Sequence, residues 1–325
     1  MRDVCLTKRT LSRIAKGWKS IWERRSFRQV PEIRSERTMV SDFFGYKLEF
    51  EGYDGGDLFG TTHILFMVGA FLFTGLVCVL TRKMPKRRVE IFLKVLLVVV
   101  PVLEAAKICW ESYYDIHVYG GQFNFSGLLP LYPCSLFLYA LPLAAWAKGK
   151  LKDWVLSFLT TMGVFFGLTN FVYLNVLKVY PLFTYASMVS FNYHFLMVFT
   201  GIFLQATGYY RPRLYSVFKA EGLFALYALV PATVNYIGNR ISPFEWFDYC
   251  FLYNGNSFPF LLSQVRQALG EDLRLVYTLL VIAGFTLPAL VAFGVSQGIR
   301  GMAGIFGRKK QAHAVQKEKY MSKIR

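Results

Sequence analysis

The chain has 325 residues, 54% of them hydrophobic and 18% aromatic, with a formal net charge of +17 and a mean hydropathy of +0.36. That apolar content, gathered into several long runs, excludes an ordinary soluble domain. The lysines and arginines cluster beside the apolar runs, where topology signals sit, and no nucleic-acid-reading motif accompanies them, so no nucleic-acid partner is expected.

In chain order, residues 1–38 form a basic extension with eleven Lys and Arg. Leu6, Leu11, Ile14, Trp18, Ile21 and Trp22 can make the apolar stripe of an amphipathic helix lying on a membrane surface. The alternatives are a tail carried across the bilayer against its charge, or a chain whose translation starts at Met39. The last is preferred, and an intact mass that includes residues 1–38 would reject it. Residues 39–60 are an acidic outer segment, with Asp42, Glu49, Glu51, Asp54 and Asp57.

Residues 61–296 are expected to be an all-α, polytopic membrane bundle of about seven helices. About 20 residues rising 1.5 Å each cross about 30 Å of hydrocarbon, and lipid-exposed strands cannot satisfy their backbones. The expected spans are roughly 61–81, 90–110, 127–147, 154–174, 187–208, 217–238 and 273–296. Asn170, Asn175, Lys178 and Pro181 blur the junction of the fourth and fifth. Pro133 and Pro142 are expected to bend the third, and the aromatic loop at about 239–272 to cap a cavity. Residues 297–325 read as a basic cytoplasmic tail, with His313 an ordinary exposed histidine.

Orientation follows from charge. The loops after the first, third and fifth spans, with Lys219 just inside the sixth, and the tail hold 19 Lys and Arg, against Lys47, Lys178, Arg240 and Arg266 on the other side from residue 39 onward. The asymmetry predicts a multi-pass protein of the cell membrane with a cytoplasmic C-terminus.

Five cysteines, at positions 5, 78, 109, 134 and 250, form no CxxC pair and no alternating Cys/His pattern. Neither a disulfide framework, a metal nor a cofactor is expected. Cys134 instead draws attention through His194. Both lie about seven residues, or roughly 10 Å, into spans that begin on the outer side, which allows a thiol–imidazole hydrogen bond. An ionisable imidazole inside lipid is costly enough to need a reason. Glu104 and Lys107, spaced i, i+3 for a local ion pair, lie in the same leaflet with His63, Asn170 and Asn235. The bland readings are a small apolar filler for Cys134, a structural pair for Glu104–Lys107 and an interfacial residue for His63. On the inner side stand mainly Gln205 and Glu221, near boundaries that water reaches.

Four stretches, FGTTHILF, LPLYPCSLFLYALPL, the His194 segment SFNYHFLMVFTG and VNYIGNR, carry a resemblance across about residues 59–296. There the sequence resembles the YwaF-like family of bacterial integral membrane proteins, whose core is shared with an animal transmembrane acyltransferase that builds polyunsaturated ether phospholipids. The resemblance implies a seven-helix bundle and, from the acyltransferase branch, Cys134 as acyl-accepting nucleophile and His194 as its base. This chain has Tyr132 where many relatives have histidine or glutamine, and residues 1–38 look foreign to the family. The expected function is a lipid acyltransferase or acyl hydrolase acting on membrane phospholipids. The rivals are a transporter lined by Glu104, Lys107 and His194, and a lipid-binding protein without chemistry. Sequence leaves the oligomeric state open.

Overall fold

A computed structural model describes residues 39–50, 52–241, 246–255, 262–270, 272–298 and 301. The expectations for residues 1–38 and for the tail beyond 301, His313 included, lie outside them. The chain divides into Met1–Asp42 and Phe43–Arg325, and the second unit carries the bundle. Its helices are α1 (Thr61–Thr81), α2 (Lys86–Tyr113), α3 (Phe125–Leu128), α4 (Leu136–Trp146), α5 (Gly149–Thr160), α6 (Met162–Val172), α7 (Tyr185–Ala206), α8 (Leu214–Ile241), α9 (Leu262–Leu269) and α10 (Arg274–Gly284). The helix begun by α10 reaches Gly298 as one long apolar stretch.

Five stretches are long and apolar enough to cross a membrane: Thr61–Thr81, Gly149–Lys178, Tyr185–Ala206, Leu214–Ile241 and Arg274–Gly298. The protein is a polytopic helical membrane protein, and among the described residues five of the seven expected spans meet these criteria in full. The second expected span is α2, 28 residues long but charged at Lys94, Glu104, Lys107 and Glu111. The third is the shorter helix Pro133–Trp146, because the chain ahead of Pro133 is not a continuation of it.

The burial pattern is that of a bundle in lipid. In α1 the buried residues are His63, Thr74 and Cys78, while Leu65, Leu72 and Leu80 are exposed. Polar and small groups turn inward and large apolar ones outward, since lipid does not drive leucine inward as water does. The centre is α5, α6 and α7. Gly163 and Gly167, four residues apart, lie on α6, and a Cβ at Gly167 would stand 2.8 Å from Met197 Cβ of α7. On α7, a Cβ at Gly201 would collide with Val164 of α6. Close approach of small residues is the usual route to helix association in membranes.

Contacts fix the two ends. At the basic end, Glu90 lies 3.7 Å from Lys152 and accepts a hydrogen bond from Tyr209, and Lys219 pairs with Asp153. At the opposite end, the Leu182 N–H donates to Asp57 Oδ2 at 2.7 Å and Tyr46 donates to Asp115 Oδ1 at 2.8 Å. Tyr46 packs on Tyr114 and Tyr119, which also touch each other, forming an aromatic cluster of the kind enriched at membrane interfaces. Burial and nearby Glu49 push the Tyr119 hydroxyl up to about 12. Tyr53 is likewise pushed up to about 12, mainly by burial.

Candidate functional site

Cys134 stands in a 3₁₀ turn, Pro133–Ser135, that opens α4. Tyr132 before it is extended, and Pro133 needs no backbone donor at a helix start. Pro133 is therefore where the helix begins, not a bend within it, and the seven-residue helical offset expected for Cys134 does not apply. The Cys134 thiol lies against its own backbone N–H and the Ser135 hydroxyl.

The irregular stretch 129–135 has to satisfy its backbone inside the protein. Its carbonyls are met by hydroxyls from other elements. Tyr139 donates to Pro130 O at 3.0 Å, Tyr227 of α8 to Tyr132 O at 3.0 Å and Tyr193 of α7 to Cys134 O at 3.3 Å. The Cys250 thiol donates to Leu131 O at 3.1 Å, and the Tyr249 hydroxyl bonds to Phe125 O.

Tyr249 and Cys250 belong to the loop after α8, whose described part, 246–255, packs against this stretch. Asn235 accepts from the Tyr249 N–H and donates to its C=O, both at 2.8 Å. One turn on, Asn239 accepts from the Phe247 N–H at 2.9 Å and donates to its C=O at 2.7 Å. Two side-chain amides thus act as a neighbouring strand would. Cys250 and Phe251 have φ of 54° and 60°, a left-handed conformation unusual for residues with side chains. The Tyr277 hydroxyl holds the second by donating to Phe251 O at 2.8 Å.

His194 is buried in α7 at 8% exposure. Its Nδ1 lies 2.8 Å from the Ser190 carbonyl, an acceptor, so Nδ1 carries the proton. Nε2 is left with a lone pair, buried and without a hydrogen-bond partner. No thiol–imidazole bond to Cys134 is formed in this state. The two are instead linked through α2 and α7. Tyr193, next to His194, reaches the Cys134 carbonyl, and Lys107 acts electrostatically on both Cys134 and His194.

Lys107 is 3.7 Å from Glu104, with 29% and 14% of their side chains accessible. Cys134 is half-buried, and both members of the Glu104–Lys107 pair keep some accessible surface.

The other expected residues occupy separate places. His63 is buried at the start of α1, where Nδ1 accepts from the Phe59 N–H at 3.2 Å and the ring faces Phe191 of α7. Asn170 donates to Phe166 O of its own helix at 3.1 Å. Asn235 has both ends of its amide committed to Tyr249, so it is a clamp on the loop. Gln205 donates to Thr160 O at 2.9 Å and accepts from Ser296 at 2.6 Å. Glu221, expected near water, has both carboxylate oxygens buried.

Sequence reasoning missed Tyr193, Ser135 and Glu111. Glu111 continues the Glu104–Lys107 face of α2 at i+7 and acts electrostatically on Lys107; that spacing was the available signal. Among the described residues, no group of three His, Cys, Asp or Glu side chains could hold a metal ion.

No curated protein and no solved structure matches the chain. Residues 58–293, running from just ahead of α1 into the last long helix and so including every element of this site, match the TMEM164 family, and the chain belongs to that family of transmembrane proteins.

Proposed function

We propose that the protein is a membrane lipid acyltransferase or acyl hydrolase in which Cys134 is the nucleophile and His194 its base. The observation that carries this reading is the His194 imidazole, locked by Ser190 with a buried Nε2 lone pair that has no hydrogen-bond partner. The resemblance to the YwaF-like proteins and to the animal ether-phospholipid acyltransferase supports it.

Nε2 takes the thiol proton and the sulfur attacks the ester carbonyl of a glycerophospholipid. The oxyanion finds donors at the start of α4 and at Lys107. Collapse breaks the ester C–O bond, the leaving oxygen takes the proton from His194, and a lysolipid departs from an S-acyl Cys134. A lysolipid hydroxyl or water, deprotonated by His194, then attacks the thioester and restores the thiol. Glycerol esters lie at the boundary of headgroup and hydrocarbon, which suits a site near one end of the bundle. The charge asymmetry of the loops supports a site in the outer leaflet of the cell membrane and a cytoplasmic C-terminus.

The test is to incubate the purified protein with phospholipid and examine the Cys134 peptide by mass spectrometry. A hydroxylamine-sensitive acyl group, absent from Cys134→Ser, is expected. Wild-type protein without it, together with unchanged lipid turnover by Cys134→Ser, rejects the reading.

A transporter is the second reading, and what favours it is a second helix break, at Thr161. Solute movement in proteoliposomes that survives Cys134→Ser would select it.

A further inference from the structure

α1 and α2 are joined by a tight turn at residues 82–85, yet beyond it both lean mainly on other helices, α1 on α7 and α2 on α4 and α7. Between them is a groove of about 450 Å³, within the usual size range of small-ligand sites. Val77 and Thr81 of α1 form one wall and Ile91 and Phe92 of α2 the other, while Phe199 and Phe203 of α7 make the floor. Phe92 packs on both floor rings, with centroids 5.8 Å and 4.7 Å away. The one hydroxyl in the lining, on Thr81, is spent on Val77 O at 2.6 Å, so the interior offers a ligand nothing polar.

The end of the groove is different in kind. Arg88 lines it with its aliphatic stem, and Arg82, Lys83, Lys86 and Arg87 are its neighbours along the chain, all five exposed. Among the described residues none of the five has an acidic partner within ion-pair distance, and the nearby Glu90 is engaged by Lys152 and Tyr209. An apolar slot ending in unpaired guanidinium and ammonium groups, in a helix pair that stands in a bilayer, complements one class of molecule. It has a hydrocarbon tail and an anionic head.

We propose that this groove binds an anionic glycerophospholipid, with one acyl chain on Phe92, Phe199 and Phe203 and its phosphate held by Arg88 and the neighbouring basic residues. Arginine suits this role because its planar fork meets phosphate oxygens in pairs. The lipid completes the packing of α1, of which little is buried against the protein. The proposal is independent of the chemistry at Cys134.

Native mass spectrometry of the full-length protein in detergent, titrated with phosphatidylglycerol or with phosphatidylcholine of the same chains, tests it. One phosphatidylglycerol should be retained about tenfold more tightly than phosphatidylcholine, and Arg88→Gln should reduce that preference about fivefold. Ile91→Trp, at a position open to lipid, should obstruct the groove and release both lipids, and Val77→Trp should do so from the other wall. Cys134→Ser should change neither. Equal retention of the two lipids, indifference to both tryptophan variants, or a dimer forming in place of the lipid complex would overturn the proposal.

Discussion

The helical bundle is broken in two places, and the two breaks are built differently. At 129–135 the freed carbonyls are met by three tyrosines and a cysteine from α4, α7, α8 and the loop after α8, and a pair of asparagines holds that loop in place. At Thr161 the helix merely changes direction, and Gln205 alone answers the Thr160 carbonyl from outside the helix. The first break makes a helix start with a thiol on it. The second is a joint between α5 and α6 that lets α6 lie against α7 through Gly167 and Gly201. Many elements cooperate to hold the first break, and one side-chain amide from outside the helix meets the second.

The largest effect should come at the first break. His194→Gln should slow acylation of Cys134 by at least about 100-fold, the usual contribution of a general base, as read by the rate of adduct formation. Tyr193→Phe, which removes only the donor to the Cys134 carbonyl, should slow it by about tenfold or less, since one hydrogen bond is lost. Equal effects from the two would mean that His194 only positions the helix.

Stability should separate the breaks next. Asn235→Ala removes two buried hydrogen bonds to the Tyr249 backbone and should cost about 2–4 kcal/mol, seen as a fall in melting temperature. Gln205→Ala should cost about 0.6–1.7 kcal/mol, the range for hydrogen bonds between membrane helices, and leave adduct formation unchanged. If Gln205→Ala abolishes the adduct, the two breaks act as one machine. Gly201→Ala forces a methyl into Val164 and should cost about 1–3 kcal/mol by overpacking, again without direct effect at Cys134.

The smallest effect should appear at alkaline pH, at two tyrosines outside the membrane-spanning helices. Tyr53 and Tyr119 titrate near 12 when folded, against about 10 in an unfolded chain. Their contribution is intact below about pH 10 and is lost as pH rises toward 12, because only the unfolded chain releases these protons in that window. Proteolysis of residues 43–60 should accelerate there, and an unchanged rate would mean that other contacts hold the segment.

The long helices were legible in the sequence because length and hydropathy are local properties. Cys134, His194 and the Glu104–Lys107 pair stood out because charged and reactive groups are rare in apolar runs. The start of α4 was misread for the opposite reason. LLPLYPCSL is as hydrophobic as a helix, and what stops it being one is Pro133 together with hydroxyls that arrive from Tyr227, Tyr193 and Tyr249, distant in sequence. Such tyrosines look like ordinary aromatic filler until the chain is folded. Asn235 and Asn239 showed their polarity but not their role, since nothing local says that an asparagine will pair with backbone. Gly163 and Gly167 did carry a signal in their four-residue spacing, one that marks helix packing and not chemistry.

The asparagine pair also sets a rule of measure. Four residues of α-helix climb about 6 Å, a distance within reach of two residues of chain, so amides at 235 and 239 fall in step with the backbone at 249 and 247. Only these two spacings are commensurate. A single residue inserted between 247 and 249, or between 235 and 239, throws the pairing out of phase, whereas length added elsewhere in the connection does not. Over evolutionary time this cover should therefore lengthen or shorten at its flanks while its two short rulers stay the same size.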